Sequence, residues 1–262
     1  LFTAGETVSA EPAFRAVLQK ENRIWVQREQ RAWLMRCAYR RDDRSTAAAE
    51  FLEILKTDPQ TTHWAMAPLI WHPVALSLGQ QAQAKSWLVS SAVETQLLGA
   101  SWLLQDPMYG KPAQRVLDEL ARNTNPVISQ LARTQQWRIG SSGSDLNELM
   151  LDGWKRDLER LPEHLRAGPT MLIARGFAQL RDDRQAAAEY LWLPLVYADH
   201  EPLAARACLE AAEAFRRSGL THEAENQYRE VLARYPWSPM ASEARSRLNA
   251  ATPDASETEF NR

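Results

Sequence analysis

Three stretches of this chain read alike once they are aligned on a polar turn: "WLMRCAYRRDDRSTAAAEFLEILKTDP", "IARGFAQLRDDRQAAAEYLWLPLVYAD" and "CLEAAEAFRRSGLTHEAENQYREVLARYP". In each, a helical pattern ends in charged or turn-forming residues. A small alanine follows (Ala47, Ala186, Ala224), and an aromatic stands four residues later (Phe51, Tyr190, Tyr228). Such recurrence constrains a fold strongly, because each copy must bury its apolar face against a neighbour. Over the rest of the chain, apolar residues return at spacings of three and four, and strict alternation is rare. Ala, Leu, Arg, Glu and Gln dominate these stretches, and all favour helix. Turn signals such as "KTDPQTT", "LQDPMYGKP" and "RNTNP" separate them. The pattern predicts an all-α, antiparallel array of helical hairpins. One stretch, "RIWVQ" at residues 23–27, reads instead as a strand.

The tetrapeptide "RDDR" occurs at residues 41–44 and again at 181–184. Paired aspartates used twice suggest either an acid–base or metal site, or one structural turn built twice. The third copy decides between them, since it replaces the charges with "SGLT". Catalytic carboxylates would not tolerate that exchange in a sister unit, whereas a turn would. Asp42, Asp43, Asp182 and Asp183 are therefore expected to cap the helix that follows and to complement its dipole. In the third copy Gly219 ends one helix, and Thr221 with Glu223 opens the next.

The aligned units resemble the tetratricopeptide repeat, a helix–turn–helix unit of about 34 residues. The third copy carries the resemblance best, with Ala211, Ala212 and Phe215 on its first helix, Ala224 and Tyr228 on its second, and Pro236 at its end. Cys208 stands where the family often has tryptophan, and Pro194 falls inside the second helix of the second copy, where a kink or early break is expected. The ending built on Tyr235, Pro236, Ser238, Ala241, Ala244 and Leu248 is similar to that of bacterial cell-envelope tetratricopeptide proteins. The resemblance implies a TPR-like superhelix and a non-enzymatic scaffold or adaptor that holds another protein or a peptide. It points towards the bacterial periplasm, although the residues themselves do not fix a compartment. The given sequence begins at Leu1 rather than methionine, so it is expected to have been processed or trimmed, with any targeting signal out of view.

The organisation expected is an N-terminal half over 1–140 and a C-terminal half over 141–251. The first half holds a TPR-like unit over 28–61, an apolar helical segment over 62–105 and a helix pair over 111–139 that looks loosely HEAT-like. The second half holds units over 167–202 and 205–238 and a capping helix over 238–250, with a disordered tail over 252–262. "GSSGSD" at 140–145 reads as the linker between the halves.

A formal net charge of −2 offers no electrostatic case for nucleic acid, and no apolar run is long enough to span a membrane. The two cysteines, Cys37 and Cys208, sit in apolar helical patterns and read as buried thiols rather than a disulfide or metal motif. No metal-ligand spacing, phosphate-cradling loop or nucleophile elbow is present, so no cofactor is expected. The candidate partner-binding groove is a set of polar residues on the first helices of the units: Arg36 and Arg40, Arg175 and Gln179, Arg216 and Arg217. If they share one concave face, the partner is acidic. The rival reading is a helical-toroid enzyme or glycan-binding protein whose cleft is lined by some of the ten tryptophans. Self-association is a third. Residues 59–105 carry only Lys85 and Glu94 as formal charges, and most of their tryptophans and leucines are expected inside, packed as a helix pair with Ala92 and Ala100 at the close approach.

Overall fold

The computed structural model describes residues 7–140 and 146–251. The sequence "GSSGSD" lies almost wholly outside them, as does the tail from 252. Among the described residues the chain is all-helical, with no strand. The helices are α1 (Thr7–Lys20), α2 (Ile24–Arg40), α3 (Arg44–Thr57), α4 (Leu78–Leu88), α5 (Val93–Leu103), α6 (Gly110–Leu120) and α7 (Pro126–Gly140). They continue as α8 (Glu148–Glu159), α9 (Ala167–Gln179), α10 (Asp183–Val196), α11 (Glu201–Arg217), α12 (Thr221–Arg234) and α13 (Pro239–Ala251). Short 3-10 turns stand at Thr62–Met66 and Glu163–Leu165. Neighbouring helices pack, most extensively α10 with α11, then α11 with α12, α9 with α10, and α2 with α3 alongside α4 with α5.

"RIWVQ" is not a strand. Ile24 opens α2, and Ile24 and Trp25 are 55% and 58% exposed, so these bulky residues have no sheet to pack on. The helix is held further along, where Ala32, Leu34, Met35, Cys37 and Ala38 are buried.

The three aligned units close with the same turn. In each, two backbone N–H groups reach back to the end of the first helix: Asp43 to Ala38 and Asp42 to Tyr39, Asp182 to Phe177 and Arg181 to Ala178, Leu220 to Phe215 and Gly219 to Arg216. This is the Schellman arrangement, and it requires one left-handed residue. That residue is Asp42 (φ 55°), Arg181 (φ 64°) and Gly219 (φ 77°). The alanines and aromatics thus keep register, while the two "RDDR" copies are offset by one residue. Only Asp43 and Asp182 cap, accepting from the N–H of Thr46 and of Gln185. Asp42 lies in the turn, and Asp183 is the first helical residue, bonded to Arg217 at 2.8 Å. The third unit has Leu220 at the cap position with no side-chain bond, so Thr221 does not cap. Behind the turns, Ala47, Ala186, Ala224, Phe51, Tyr190 and Tyr228 are all at most 2% exposed.

Since left-handed backbone strains any residue with a Cβ, Asp42→Gly should stabilise the chain by up to about 1 kcal/mol, and Gly219→Ala should cost about as much. Opposite shifts of the urea midpoint check this. Equal midpoints for both variants would contradict it.

Pro194 does not break α10. That helix has 14 residues, as α3 and α12 do. The proline sits in its last turn, where only one intrahelical bond is forfeited.

The charge-poor stretch is core. Trp64, Leu69, Trp71, Leu88, Leu97, Leu98, Trp102 and Leu103 are buried, and Trp87 is half-buried, edge-on to Trp102 at 5.0 Å. Leu78, at the start of α4, is the exception at 84% exposed. α4 and α5 pack as a pair, but not through Ala92, which is exposed at the N-cap of α5. Gly99 makes the close approach, to the backbone of Ala84–Leu88. The irregular chain before α4 has its carbonyls satisfied by ring donors: Tyr39 Oη donates to Met66 O at 2.6 Å, Trp102 Nε1 to Pro68 O at 2.7 Å, and Trp64 Nε1 to Pro59 O at 3.0 Å. The Ile70 N–H donates to Ser101 Oγ at 2.8 Å, and Ser101 Oγ to Gln135 at 2.9 Å.

One core runs through both halves of the chain, from Ala32 to Ala214. A second core joins α11 to α12 and α13 through Ala204, Cys208, Ala212, Tyr228 and Ala244. α11 can bury two faces because they are mostly alanine. Across the 141–145 segment, Trp137 of α7 and Trp154 of α8 stack at 5.1 Å and 4°. Cys37 and Cys208 are free, buried thiols.

Candidate functional site

A cleft of about 510 Å³ opens where the 3-10 turn at Thr62–Met66 meets that at Glu163–Leu165. It is bounded by Arg36 of α2 and by the link from α10 to α11. Three of the five histidines, His63, His164 and His200, line it together with Arg36, Glu163 and Asp199. None of the ten tryptophans does.

His200 is the unusual member. It is 8% exposed, and neither ring nitrogen has a hydrogen-bond partner among the described residues. Its ring lies 6.4 Å from that of Tyr39. Burial pushes its pKa down to about 4, so the imidazole is neutral at pH 7. A buried imidazole with both nitrogens unmatched costs stability unless a ligand or water satisfies them. His63 differs: its Nδ1 lies 2.7 Å from Thr61 Oγ1, and burial is again the main cause lowering its pKa.

These values fix a pH dependence. An unfolded histidine titrates near 6.5. Between that value and about 4, the unfolded chain binds a proton that the folded chain refuses at His200. Stability is therefore full above about pH 6.5 and falls on acidification, by about 2 kcal/mol at pH 5 from His200 alone. His63 acts in the same direction. Urea unfolding at about pH 7 and 5 measures the loss, and His200→Phe should remove its own share of about 2 kcal/mol, leaving that of His72, whose pKa burial lowers to about 3. Equal stability at the two pH values would exclude a buried neutral His200.

The six residues of the expected groove do not form one free face. Arg36 lines the cleft, its guanidinium 4.6 Å from the centre of the Trp33 ring. Arg40 is bonded in bidentate fashion to Glu201 at 3.0 Å and lies 4.9 Å from the Trp237 ring. Arg216 is tied to Glu213 at 2.8 Å and Arg217 to Asp183 at 2.8 Å. Arg175 is half-buried, with its pKa lowered by desolvation, and Gln179 is exposed at the end of α9. Spacing along a helix places side chains on a face, but it cannot show that a carboxylate 161 residues away reaches one of them. Sequence reasoning also missed His200 and Asp199, which lie in a connection without periodicity.

Beside the cleft, Trp192, Leu195 and Val196 of α10 are 52%, 72% and 42% exposed. Their spacing of three and four puts them on one helix face. Among the described residues, no group of three or more His, Cys, Asp or Glu side chains is placed to hold a metal ion, and no helix is long and apolar enough to cross a membrane. No protein-family model matches the chain, and no curated protein or solved structure matches it.

Proposed function

We propose that this chain is a non-enzymatic, TPR-like scaffold that docks a segment of another protein on α10 and in the adjoining cleft. The observation that carries the reading is the exposed apolar face of Trp192, Leu195 and Val196, set at the mouth of a polar cleft. Exposed apolar clusters of this kind mark interaction surfaces. The shared Schellman turns and buried alanines support the antiparallel hairpin reading. Apolar anchors of the partner would cover α10, and an acidic group would meet Arg36, for which no carboxylate partner stands among the described residues. This is a narrower electrostatic role than a row of groove arginines.

A photo-crosslinking residue at position 195 or 65 tests the proposal against one at position 115 on α6. A scaffold gives a discrete adduct with one protein from the first two sites only, and Leu195→Asp abolishes that adduct without changing the far-ultraviolet spectrum. Indiscriminate labelling from all three sites would overturn the reading. The rival, a glycan-binding or glycan-cleaving cleft lined with tryptophan, gains nothing from the burial of Trp64, Trp71 and Trp102.

A further inference from the structure

A second cleft, of about 280 Å³, lies where the turn between α2 and α3 meets residues 72–75 and the start of α13. We propose that it binds a phosphoryl group, as free phosphate or as a small phosphate monoester. Three oxyanion donors converge there: Arg44 from the first turn of α3, Arg206 from α11, and Ser238 from the residue just before α13. His72 lines the cleft as a neutral imidazole whose Nδ1–H donates to Pro73 O at 3.1 Å.

The donors are only partly engaged by the fold. Arg44 pairs with Asp42 and Arg206 with Glu210 at 3.6 Å, ion pairs beyond good hydrogen-bond distance in both cases. The Nε of Arg206 is buried with no hydrogen-bond partner among the described residues. Ser238 is 7% exposed, and its Oγ likewise has no partner there. A serine in that position ordinarily caps its helix through the side chain. This one does not, so its hydroxyl remains available.

Two guanidiniums, those of Arg44 and Arg206, stand against one lining carboxylate, that of Asp42. Burial first, then the guanidiniums of Arg206 and Arg44, hold the His72 pKa down to about 3, and Arg175 adds to them. α13 has 13 residues, and its N-terminus carries a partial positive charge with N–H groups that lack intrahelical acceptors. A helix N-terminus beside arginines and a hydroxyl is a setting that proteins use for anions.

The geometry favours a phosphoryl group over a carboxylate. One arginine can satisfy a planar carboxylate in bidentate fashion. Here the donors arrive from separate elements on several sides, which suits a tetrahedral group with three or more acceptor oxygens. The cleft is at the small end of ligand sites, which suits a compact ligand rather than a peptide. The assignment does not rest on the scaffold reading, since it uses other residues.

Calorimetric titration of the full chain with inorganic phosphate tests it, with sodium acetate at matched ionic strength as the reference. Saturable phosphate binding is expected, with acetate weaker by about tenfold or more. Ser238→Ala should weaken phosphate by about tenfold, and Arg206→Gln by more, as for loss of hydrogen bonds to a charged group. Ser238→Ala removes no bond within the fold, so it should stay folded even if the arginine variant does not. Glycerol phosphate then separates the sources: displacement of phosphate at lower concentration indicates an ester ligand, and weaker displacement indicates the free ion. No saturable phosphate binding, acetate binding of equal strength, or an unchanged affinity in Ser238→Ala would overturn the proposal.

Discussion

Gly168→Ala should destabilise the chain by about 3 kcal/mol or more, at the upper end of the cost of overpacking a core. A Cβ on Gly168 would fall 2.0 Å from Cε2 of Trp71 and 2.3 Å from its Cδ2. The indole cannot swing aside, because Trp71 is 5% exposed in the main core and the N–H of its neighbour Ile70 is fixed to Ser101 Oγ. Alanine is ordinarily the better helix former by about 1 kcal/mol, so propensity alone gives the opposite sign. The clash outweighs it. Equilibrium unfolding in urea reads the loss, and the double variant Gly168→Ala with Trp71→Leu should recover part of it as a coupling energy. A single variant within about 0.5 kcal/mol of the parent would show that the ring is not seated on α9 as described.

Gly99→Ala should cost about 2 to 4 kcal/mol by a different route. Its Cβ would stand 2.6 Å from the backbone N of Leu88 and 2.8 Å from the carbonyl O of Ala84. Backbone has no rotamer to change, so α4 must move away from α5 and drag Trp87 off Trp102. Gly153, in the middle of α8, supplies the control. A Cβ there meets nothing within 4 Å, so Gly153→Ala should gain about 0.5 to 1 kcal/mol from propensity. In thermal melts the two glycine variants should shift in opposite directions, by several degrees for Gly99→Ala. A shift of the same sign in both would contradict the close approach.

Much of the helical framework was legible because it is local. The spacing of Ala47 and Phe51, of Ala186 and Tyr190, and of Ala224 and Tyr228 needs only the chain's own period. The core status of Trp64, Trp71 and Trp102 followed from the scarcity of charge around them. The readings that needed correction have physical reasons too. "RIWVQ" carries β-favouring residues, yet its exposed Ile24 and Trp25 are carried by a helix whose buried residues lie downstream. The aspartates at the turns were read as equivalent caps, although the left-handed position displaces the second copy by one residue. Ala92 was placed at a helix contact that belongs to Gly99, because a missing side chain leaves no apolar signal. The two clefts were hidden for a further reason. Their walls come from irregular connections and from elements far apart in the chain, and the partner of each arginine is set by tertiary contact.

The bond between Arg40 and Glu201 joins the end of the first unit's leading helix to the start of the third's, and Arg40 also lies over Trp237. His200 beside Tyr39 lies at the same junction. In an open solenoid each repeat leans only on the next, so the array can fray from an end like a zipper. Here the first and last units hold each other, and the chain is laced into a loop. Release of one end deprives the other of support, so denaturation should be a single steep transition reported alike by α2 and by α12. Cutting the lace with Arg40→Ala should lower that transition for α2 and α12 together, because α11 is buried in both cores and ties one to the other.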